Sequence, residues 1–312
     1  MSASTISTSA LRVATLGTPR IGPRRELKFA LESFWSGATD ERVLLETGAG
    51  LRADNWARQK KLGVTVIPSN DFSFYDQVLD TSVMVGAIPE IYRWDGGPVP
   101  LATYFAMARG AQGETHEPGC GHAHHGHDTA HGVPALEMTK WFDTNYHYMV
   151  PELAKDQKFS LASRKPIEEY EEALALGHQT RPVLVGPVTF LKLAKSKDAG
   201  FNALSLLDRL LPVYIEVLRE LVYRGAEWVQ IDEPCLVLDL DIVGQQALHY
   251  AYAEIARAVP QLKIMLATYF GGLGGNRETA LALPVAGLHL DLVRAPDPVS
   301  YTHLTLPTIL RV

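Results

Sequence analysis

The sequence predicts an α/β protein, a (β/α)8 TIM-type barrel that is incomplete at its C-terminal end. Short apolar runs typical of buried strands alternate with stretches of helical spacing along most of the chain. The apolar runs are continuous, as in parallel strands that are covered on both faces. Polar residues recur where these runs end, which is the edge where barrels bind their ligands. A doubly wound sheet is the alternative.

In the first half, we expect a strand at residues 11–16, a helix from Glu26 to Gly37, a helix at 40–62, a strand at 64–71 and a helix at 72–85. Residues 86–110 are rich in Tyr, Trp and Gly and predict no clear element. In the second half, we expect strands at 159–162, 183–185, 228–234, 263–271 and 287–293, and helices at 166–176, 204–224, 242–259 and 277–283.

Composition restricts the class of protein. The chain has 312 residues, a net charge of −6, 46% hydrophobic residues and 21% charged residues, as in an ordinary soluble globular protein. The negative net charge argues against nucleic acids and acidic membranes as partners. No apolar run reaches the roughly 18 residues that a membrane span needs. Residues 1–10 resemble no secretory signal and are expected to form a disordered tail. Cys120 and Cys235 suggest no disulfide framework, so we expect a cytoplasmic protein.

Three cations lie around the start of the first predicted helix. Arg24, Arg25 and Lys28 follow the loop GTPRIGP, where positive charges oppose the helix dipole. An anionic ligand would explain them, because backbone N–H groups and cations could bind it together. The alternative is that the three side chains simply point to solvent.

The stretch from Met138 to Glu152 (MTKWFDTNYHYMVPE) mixes aromatic and polar residues without a helical stripe. This pattern is typical of a wall that is half packed and half turned towards a ligand. An aromatic cluster under a loop would give the same composition.

Residues 111–132 form a histidine-rich insertion among glycines. It contains one cysteine, Cys120, and six histidines: His116, His122, His124, His125, His127 and His131. Their spacing matches no closed zinc module, so we assign no metal ligands here. A variable solvated insertion and a metal-scavenging or regulatory site are both open.

Two carboxylates, Asp232 and Glu233, end the predicted strand WVQIDEP. The family resemblance described below implies that they are structural groups that fix a loop by hydrogen bonds. An independent acid/base enzyme would need a partnered nucleophile or a metal set, which the sequence does not show. We therefore assign no catalytic residue. Cys235 is expected to be a buried small apolar residue.

The last residues break the alternation of strands and helices. After Asp297 the chain reads PVSYTHLTLPTILRV, which resembles a translated sequencing adapter more than a protein segment. We therefore expect residues 299–312 to be a non-native tail and the barrel domain to occupy residues 11–298.

Five stretches, in order, resemble the N-terminal half of the cobalamin-independent methionine synthases, the 5-methyltetrahydropteroyltriglutamate–homocysteine methyltransferases. These stretches are LGTPRIGPRRELK, DFSFYDQVL, EMTKWFDTNYHYMVPE, ALGHQTRPVLVGPVTFLKLAK and WVQIDEPCLVL. The resemblance covers residues 11–298, and long aromatic-rich motifs in one order are specific. The histidine-rich insertion departs from the family pattern, where this loop is shorter.

The resemblance implies one of two face-to-face barrels in a methyltransferase that transfers the methyl group of 5-methyltetrahydrofolate polyglutamate to homocysteine. In this family the C-terminal barrel holds zinc and homocysteine, and the N-terminal barrel helps to bind the folate tail. The substrate-binding residues implied here are Arg25, Glu26, Leu27, Lys28 and Lys140. This half would lack the zinc site and be inactive alone, with the missing barrel as its partner. The alternative function is a free-standing barrel module that binds folate or metal through the histidine-rich loop.

Overall fold

The computed structural model describes residues 13–111, 132–196 and 198–296, together with the backbone of residues 309–310. The strands are, in chain order, β1 (Ile67–Ser69), β2 (Met138–Lys140), β3 (His147–Met149), β4 (Thr180–Val185), β5 (Trp228–Asp232), β6 (Lys263–Ala267), β7 (Gly287–His289) and β8 (Ile309–Leu310). The main sheet has the order β1-β4-β5-β6-β7-β8, and its pairings are parallel. β2 and β3 form a separate antiparallel hairpin.

The strand order distinguishes between the two predicted architectures. Ala14 pairs with Val66 in a parallel bridge, which places the first chain segment beside β1. From there the main-sheet strands follow one another in chain order, whereas a doubly wound sheet reverses its order at a switch point. The α/β class with a parallel sheet is confirmed. The described strands show no pairing between the two edges of the sheet, so closure into a barrel stays a prediction.

Nine α-helices lie in the described part of the chain. They are α1 (Glu26–Trp35), α2 (Glu41–Lys61), α3 (Gln77–Met84), α4 (Leu101–Arg109), α5 (Lys165–Ala175), α6 (Pro187–Leu193), α7 (Leu207–Tyr223), α8 (Ile242–Ala258) and α9 (Arg277–Ala282). Side-chain caps fix several starts. Asp40 accepts from the N–H of Val43 at 3.0 Å, and Asp241 accepts from the N–H of Gly244 at 2.9 Å. Such caps are each worth about 1 kcal/mol.

The main core lies between the central strands and the helices that cover them. Val229 and Ile231 of β5 are fully buried, as is Leu266 of β6. On α7, Tyr214 and Leu218 are also fully buried, which explains the apolar stripe of this helix. Each such side chain contributes about 1.5–3 kcal/mol by leaving water. A second apolar cluster lies around α1 to α4.

Several predicted elements differ from the structure. Residues 159–162 form no strand, because the N–H groups of Ser160 and Ala162 donate instead to the backbone carbonyls of Val85 and Met84, at 3.1 and 2.9 Å. The helix expected at 72–85 begins only at Gln77, where the Asp76 carboxylate caps it. The sequence reading also missed the helices α4 and α6.

The other predicted helices are present with shifted ends, and β1 and β7 are shorter than expected. Residues 1–12 and the insertion at 112–131 lie outside the described residues, as does most of the segment at 299–312. Among the described helices, none is long and apolar enough to cross a membrane.

Candidate binding site

The loop at residues 17–25 is fastened to the end of β1 by the carboxylate of Asp71. Thr18 donates two hydrogen bonds to Asp71 Oδ2, one from its backbone N–H at 2.8 Å and one from its hydroxyl at 2.9 Å. Burial raises the pKa of Asp71, and the bonds from Thr18 oppose that rise. The basic loop is therefore held at the carboxyl end of the sheet.

Arg20 then joins this loop to the β2–β3 hairpin. Its Nη1 donates to the carbonyl of Ser73 at 2.7 Å, and its guanidinium lies 5.7 Å from the ring centre of Tyr146. The hydroxyl of Tyr146 donates to the carbonyl of Tyr75 at 3.3 Å. The two segments that contain the predicted substrate-binding residues thus lie side by side.

The first helix begins after a residue with strained backbone. Arg25 precedes α1 with φ 64° and ψ 34°, the left-handed region that glycine favours. An L-residue there costs about 1 kcal/mol, and strain of this kind clusters at functional sites. The side chain of Arg25 is exposed and has no hydrogen-bond or ion-pair partner within the described ranges. The turn therefore fixes the position of the Arg25 backbone, from which the side chain extends.

Glu26 occupies the position that we expected an anionic ligand to take at the start of α1. Its carboxylate accepts from the backbone N–H of Arg24 at 2.9 Å and from Nε of the same residue at 3.0 Å. A hydrogen bond from its own backbone N–H, followed by the contacts with Arg24, lowers the pKa of Glu26. An anion at this turn would therefore be bound by side-chain cations rather than by the helix N–H groups.

The remaining predicted site residues divide into a core residue and two exposed cations. Leu27 is only 1% exposed and anchors α1 in the second apolar cluster. Lys28 is exposed and lies 3.6 Å from Glu32, a weak surface pair. Lys140 is exposed in β2, opposite His147 of β3, and has no ion-pair partner among the described residues. No contact in the structure tests their role in substrate binding, which stays a prediction.

The hairpin is packed on one side and open on the other. Trp141 is 4% exposed, and its ring meets those of Phe142 and Tyr148 edge-on at 5.1 and 5.7 Å. Tyr146 and His147 are exposed. The aromatic residues therefore supply a rigid base, and the polar residues of the same stretch face outwards.

A cavity of about 380 Å³ opens at the carboxyl ends of the strands, beside this hairpin. It is lined by residues of the basic loop, the hairpin and strand ends, among them Thr18, Asp71, Met84, Trp141, Asp232 and Tyr269. Parallel α/β sheets place ligands at this edge.

Asp232 lies at the end of β5 and lines the cavity. Its carboxylate accepts from Gln230 Nε2 at 2.7 Å and from the hydroxyl of Tyr269 at 3.0 Å. Burial raises the pKa of Asp232 to about 6, against the opposing effect of those two hydrogen bonds.

Glu233 points into the core instead and has a structural role. Its carboxylate accepts from the N–H groups of Val188 at 3.3 Å and Thr189 at 2.7 Å, in the first turn of α6. Burial raises the pKa of Glu233 to about 7. The expectation of a structural carboxylate pair thus describes Glu233, whereas Asp232 is directed towards the cavity.

Sequence reasoning missed Lys165, which joins the segment after β1 to the helices α3 and α5. Its ammonium group donates to Asn70 Oδ1 at 2.8 Å and to the carbonyl of Phe72 at 2.6 Å. It also lies 3.1 Å from Asp80 and 3.2 Å from Glu169. Burial opposes its charge, but these two carboxylates raise the pKa of Lys165 above its ordinary value. Only Glu169, four residues further along α5, is a local partner; Asn70, Phe72 and Asp80 are distant in the chain, so no local pattern could have indicated the whole network.

The described residues do not fit a zinc site. Within them, no group of three or more His, Cys, Asp or Glu side chains could hold a metal ion. Cys235 is 1% exposed, as predicted, and burial raises the pKa of its thiol well above the ordinary value. The histidine-rich residues lie outside the described ranges.

The sheet, the strand-end cavity and the exposed cations of the adjoining loop and hairpin define an α/β domain of a kind that binds small molecules. Comparison with protein families identifies the family: a model described as "Cobalamin-independent synthase, N-terminal domain" matches residues 12–307. The chain belongs to this family. Because the match extends to residue 307, it overlaps the predicted non-native tail, whose origin stays a prediction.

Curated relatives agree with this assignment. The chain is 71% identical over 285 residues to a 5-methyltetrahydropteroyltriglutamate–homocysteine methyltransferase of Nitrobacter winogradskyi, covering 91% of this chain and 37% of the relative. It is 69% identical over 301 residues to the protein of that name from Rhodopseudomonas palustris, covering 96% and 38%. The chain thus spans little more than a third of the length of these relatives.

Among solved structures, the chain resembles a B12-independent methionine synthase from Shewanella sp. W3-18-1 that was determined in complex with selenomethionine. The TM-score is 0.53 at 13% identity, and the match covers 81% of this chain and 65% of that chain. At this level of identity, the likeness concerns the fold alone.

Proposed function

We propose that this chain is the folate-binding part of a cobalamin-independent methionine synthase, which transfers the methyl group of 5-methyltetrahydropteroyltriglutamate to homocysteine. The observation that carries the proposal is the pair of cationic segments that Arg20 and Tyr146 hold together. Arg25 and Lys28 lie on one segment and Lys140 on the other, with exposed side chains. A triglutamate tail carries several carboxylates, and each charge-assisted contact with such cations is worth about 1 kcal/mol or more.

Within this proposal, each of the predicted site residues has a distinct role. Arg25, Lys28 and Lys140 bind tail carboxylates. Glu26 holds the turn before α1, and Leu27 fixes that helix to the core. The contribution of this part is binding and orientation of one substrate.

The methyl transfer itself belongs, in this proposal, to the part of the relatives' length that this chain does not span. The family resemblance assigns zinc and homocysteine to that part, and the described residues here do not fit the metal. We therefore propose that this chain makes no methionine alone. We also propose that its sheet closes into a (β/α)8 barrel with the rest of the chain and that the protein works in the cytoplasm.

The alternative, a free-standing module that works through the histidine-rich loop, has no supporting contact in the described part of the chain. If this module bound metal, the effect of deleting the loop would differ from the effect that our proposal predicts. Deleting residues 113–131 should leave folate binding unchanged if the cationic segments bind the tail, and should abolish the activity of a metal module.

The proposal is tested by calorimetric titration of this chain with 5-methyltetrahydropteroyl monoglutamate and triglutamate. Arg25→Ala and Lys140→Ala should weaken binding of the triglutamate more than binding of the monoglutamate. Arg257→Ala is the matched control, since Arg257 is an exposed arginine on α8 that pairs with Glu254. Equal losses for both tail lengths would contradict the proposed tail site.

A further inference from the structure

The strand-end cavity contains two carboxylates that lack a cationic partner. Asp71 receives its hydrogen bonds from Thr18, and Asp232 receives its own from Gln230 and Tyr269. All of these donors are neutral. Among the described residues, no Lys or Arg nitrogen lies within ion-pair distance of either carboxylate.

The cations near the cavity are already engaged elsewhere. Lys165 lines the cavity, but its ammonium group lies between Asp80 and Glu169 at 3.1 and 3.2 Å. Arg181 is buried and donates to Gln230 Oε1 at 2.6 Å, so its link to Asp232 passes through that amide. Arg20 also lines the cavity, and its guanidinium donates to the carbonyl of Ser73. The lining thus contains three carboxylates, those of Asp71, Asp80 and Asp232, and two cations, and neither cation forms an ion pair with Asp71 or Asp232.

The two carboxylates are also held in position before any ligand arrives. The two hydrogen bonds from Thr18 hold the carboxylate of Asp71 in place. The hydrogen bonds to both oxygens of Asp232 fix the orientation of its carboxylate plane. An ionised carboxylate offers about four acceptor positions, so Asp232 retains capacity for further donors. Fixed acceptors lose little entropy when they bind, which favours affinity.

One part of the wall is apolar, although Arg20, Asn70, Gln77 and Lys165 also line the cavity. Met84, Trp141 and Val185 line the same space, whose volume of about 380 Å³ suits a small molecule. A ligand that fits this lining has a positive end and an aliphatic body.

We propose that the strand-end cavity binds a small aliphatic primary amine, whose ammonium group donates to Asp71 and Asp232 while its carbon chain packs against Met84 and Trp141. The site adjoins the proposed folate-tail site, because Arg20 and Tyr146 also line the cavity, but it uses carboxylates instead of cations. A charged hydrogen bond to a carboxylate that water does not fully solvate is stronger than one at the surface. Burial raises the pKa values of Asp71 and Asp232, and the positive charges of Lys165 and Arg181 oppose that rise only in part.

The test compares probes of matched shape on the native chain, by saturation-transfer NMR and calorimetry. n-Butylamine should bind, and butan-1-ol and butyrate should bind at least about tenfold more weakly, because only the amine carries a positive charge. Equal binding of the amine and the alcohol would overturn the proposal, and so would binding of neither.

Variants then locate the site. Asp232→Asn should weaken n-butylamine binding about tenfold or more while leaving butan-1-ol unchanged. Asp54→Asn makes the same charge change at an exposed position on α2 and should leave both probes unchanged. If Asp232→Asn proves unfolded by circular dichroism, Asp71→Asn replaces it. An equal effect of the Asp54 and cavity variants would show general charge attraction and overturn the cavity assignment.

Discussion

The guanidinium of Arg20 lies 5.7 Å from the ring centre of Tyr146 and connects the basic loop to the β2–β3 hairpin. The two residues are 126 positions apart, and the contact forms at the carboxyl edge of the sheet. It brings Arg25 and Lys140 to neighbouring segments. The proposed folate-tail site therefore depends on a contact between residues that were not themselves predicted to bind the substrate.

Replacing Arg20 should loosen this connection. Arg20→Ala removes the cation–π contact and the bond to the Ser73 carbonyl, and we expect the free energy of unfolding to fall by about 2 kcal/mol. Urea denaturation followed by circular dichroism measures the change. Arg257→Ala, at an exposed arginine, should change stability by less than about 0.5 kcal/mol. Similar losses for the two variants would mean that Arg20 contributes no more than a surface charge.

Arg25 should show a conflict between stability and binding. Arg25→Gly relieves the left-handed backbone at φ 64°, so we expect the free energy of unfolding to rise by up to about 1 kcal/mol while triglutamate binding weakens. Thermal unfolding and calorimetry measure the two effects. Arg24 does not have a positive φ, so Arg24→Gly should be neutral or destabilising. A destabilised Arg25→Gly variant would show that the turn is not strained.

Gly186 should tolerate no side chain because Glu233 packs against it. A Cβ at Gly186 would lie 2.1 Å from Glu233 Cδ, and that carboxylate is held by Thr189 at 2.7 Å. We expect Gly186→Ala to cost several kcal/mol, in the range of about 3 or more for a disrupted buried network. Chemical denaturation measures it.

Gly50 supplies the matched control for that substitution. It lies in α2, and a Cβ there would meet nothing within 4 Å. Gly50→Ala should therefore raise stability by about 0.5–1 kcal/mol. If both alanine variants are well tolerated, Glu233 is not held as the structure describes.

Asp232 should make stability depend on pH in a defined direction. Its folded-state pKa of about 6 exceeds the ordinary 3.8, so the fold favours the neutral acid. The stability that this group contributes is present below about pH 4 and is lost as the pH rises through about 6.

Asp232→Asn removes that loss, since an amide does not ionise and can still accept from Gln230 and donate to the Tyr269 hydroxyl. The variant should gain stability relative to the native chain between about pH 4 and pH 7, by at most about 3 kcal/mol. Denaturation curves at several pH values measure the difference. A difference that does not vary with pH would contradict the raised pKa.

The sequence predicts local features better than long-range ones. The apolar runs at 228–234 and 263–271 contain the parallel strands β5 and β6, because buried strands are apolar on both faces. The ends of elements were less predictable: Asp76 decides where α3 begins, and the backbone bonds of Ser160 replace a strand.

The residues of the candidate site were likewise predictable from the sequence only in part. The cations Arg25 and Lys28 were visible as charges in an unusual place, and Lys140 was implied by the family resemblance. The roles of Arg20 and Lys165 were not predicted, because most of their partners lie far away in the chain and no periodic pattern encodes such contacts. The opposite orientations of Asp232 and Glu233 required the sheet, since neighbouring residues at a strand end point to different sides.

The most direct test of the folate-tail site compares the affinity of this chain for 5-methyltetrahydropteroyl triglutamate and monoglutamate, before and after Lys140→Ala. The account predicts that the native chain binds the triglutamate at least about tenfold more tightly, which corresponds to about 1.4 kcal/mol. It also predicts that Lys140→Ala removes most of this preference while leaving monoglutamate binding nearly unchanged. Equal affinity for the two tail lengths in the native chain, or a preference that survives the substitution, would contradict the account.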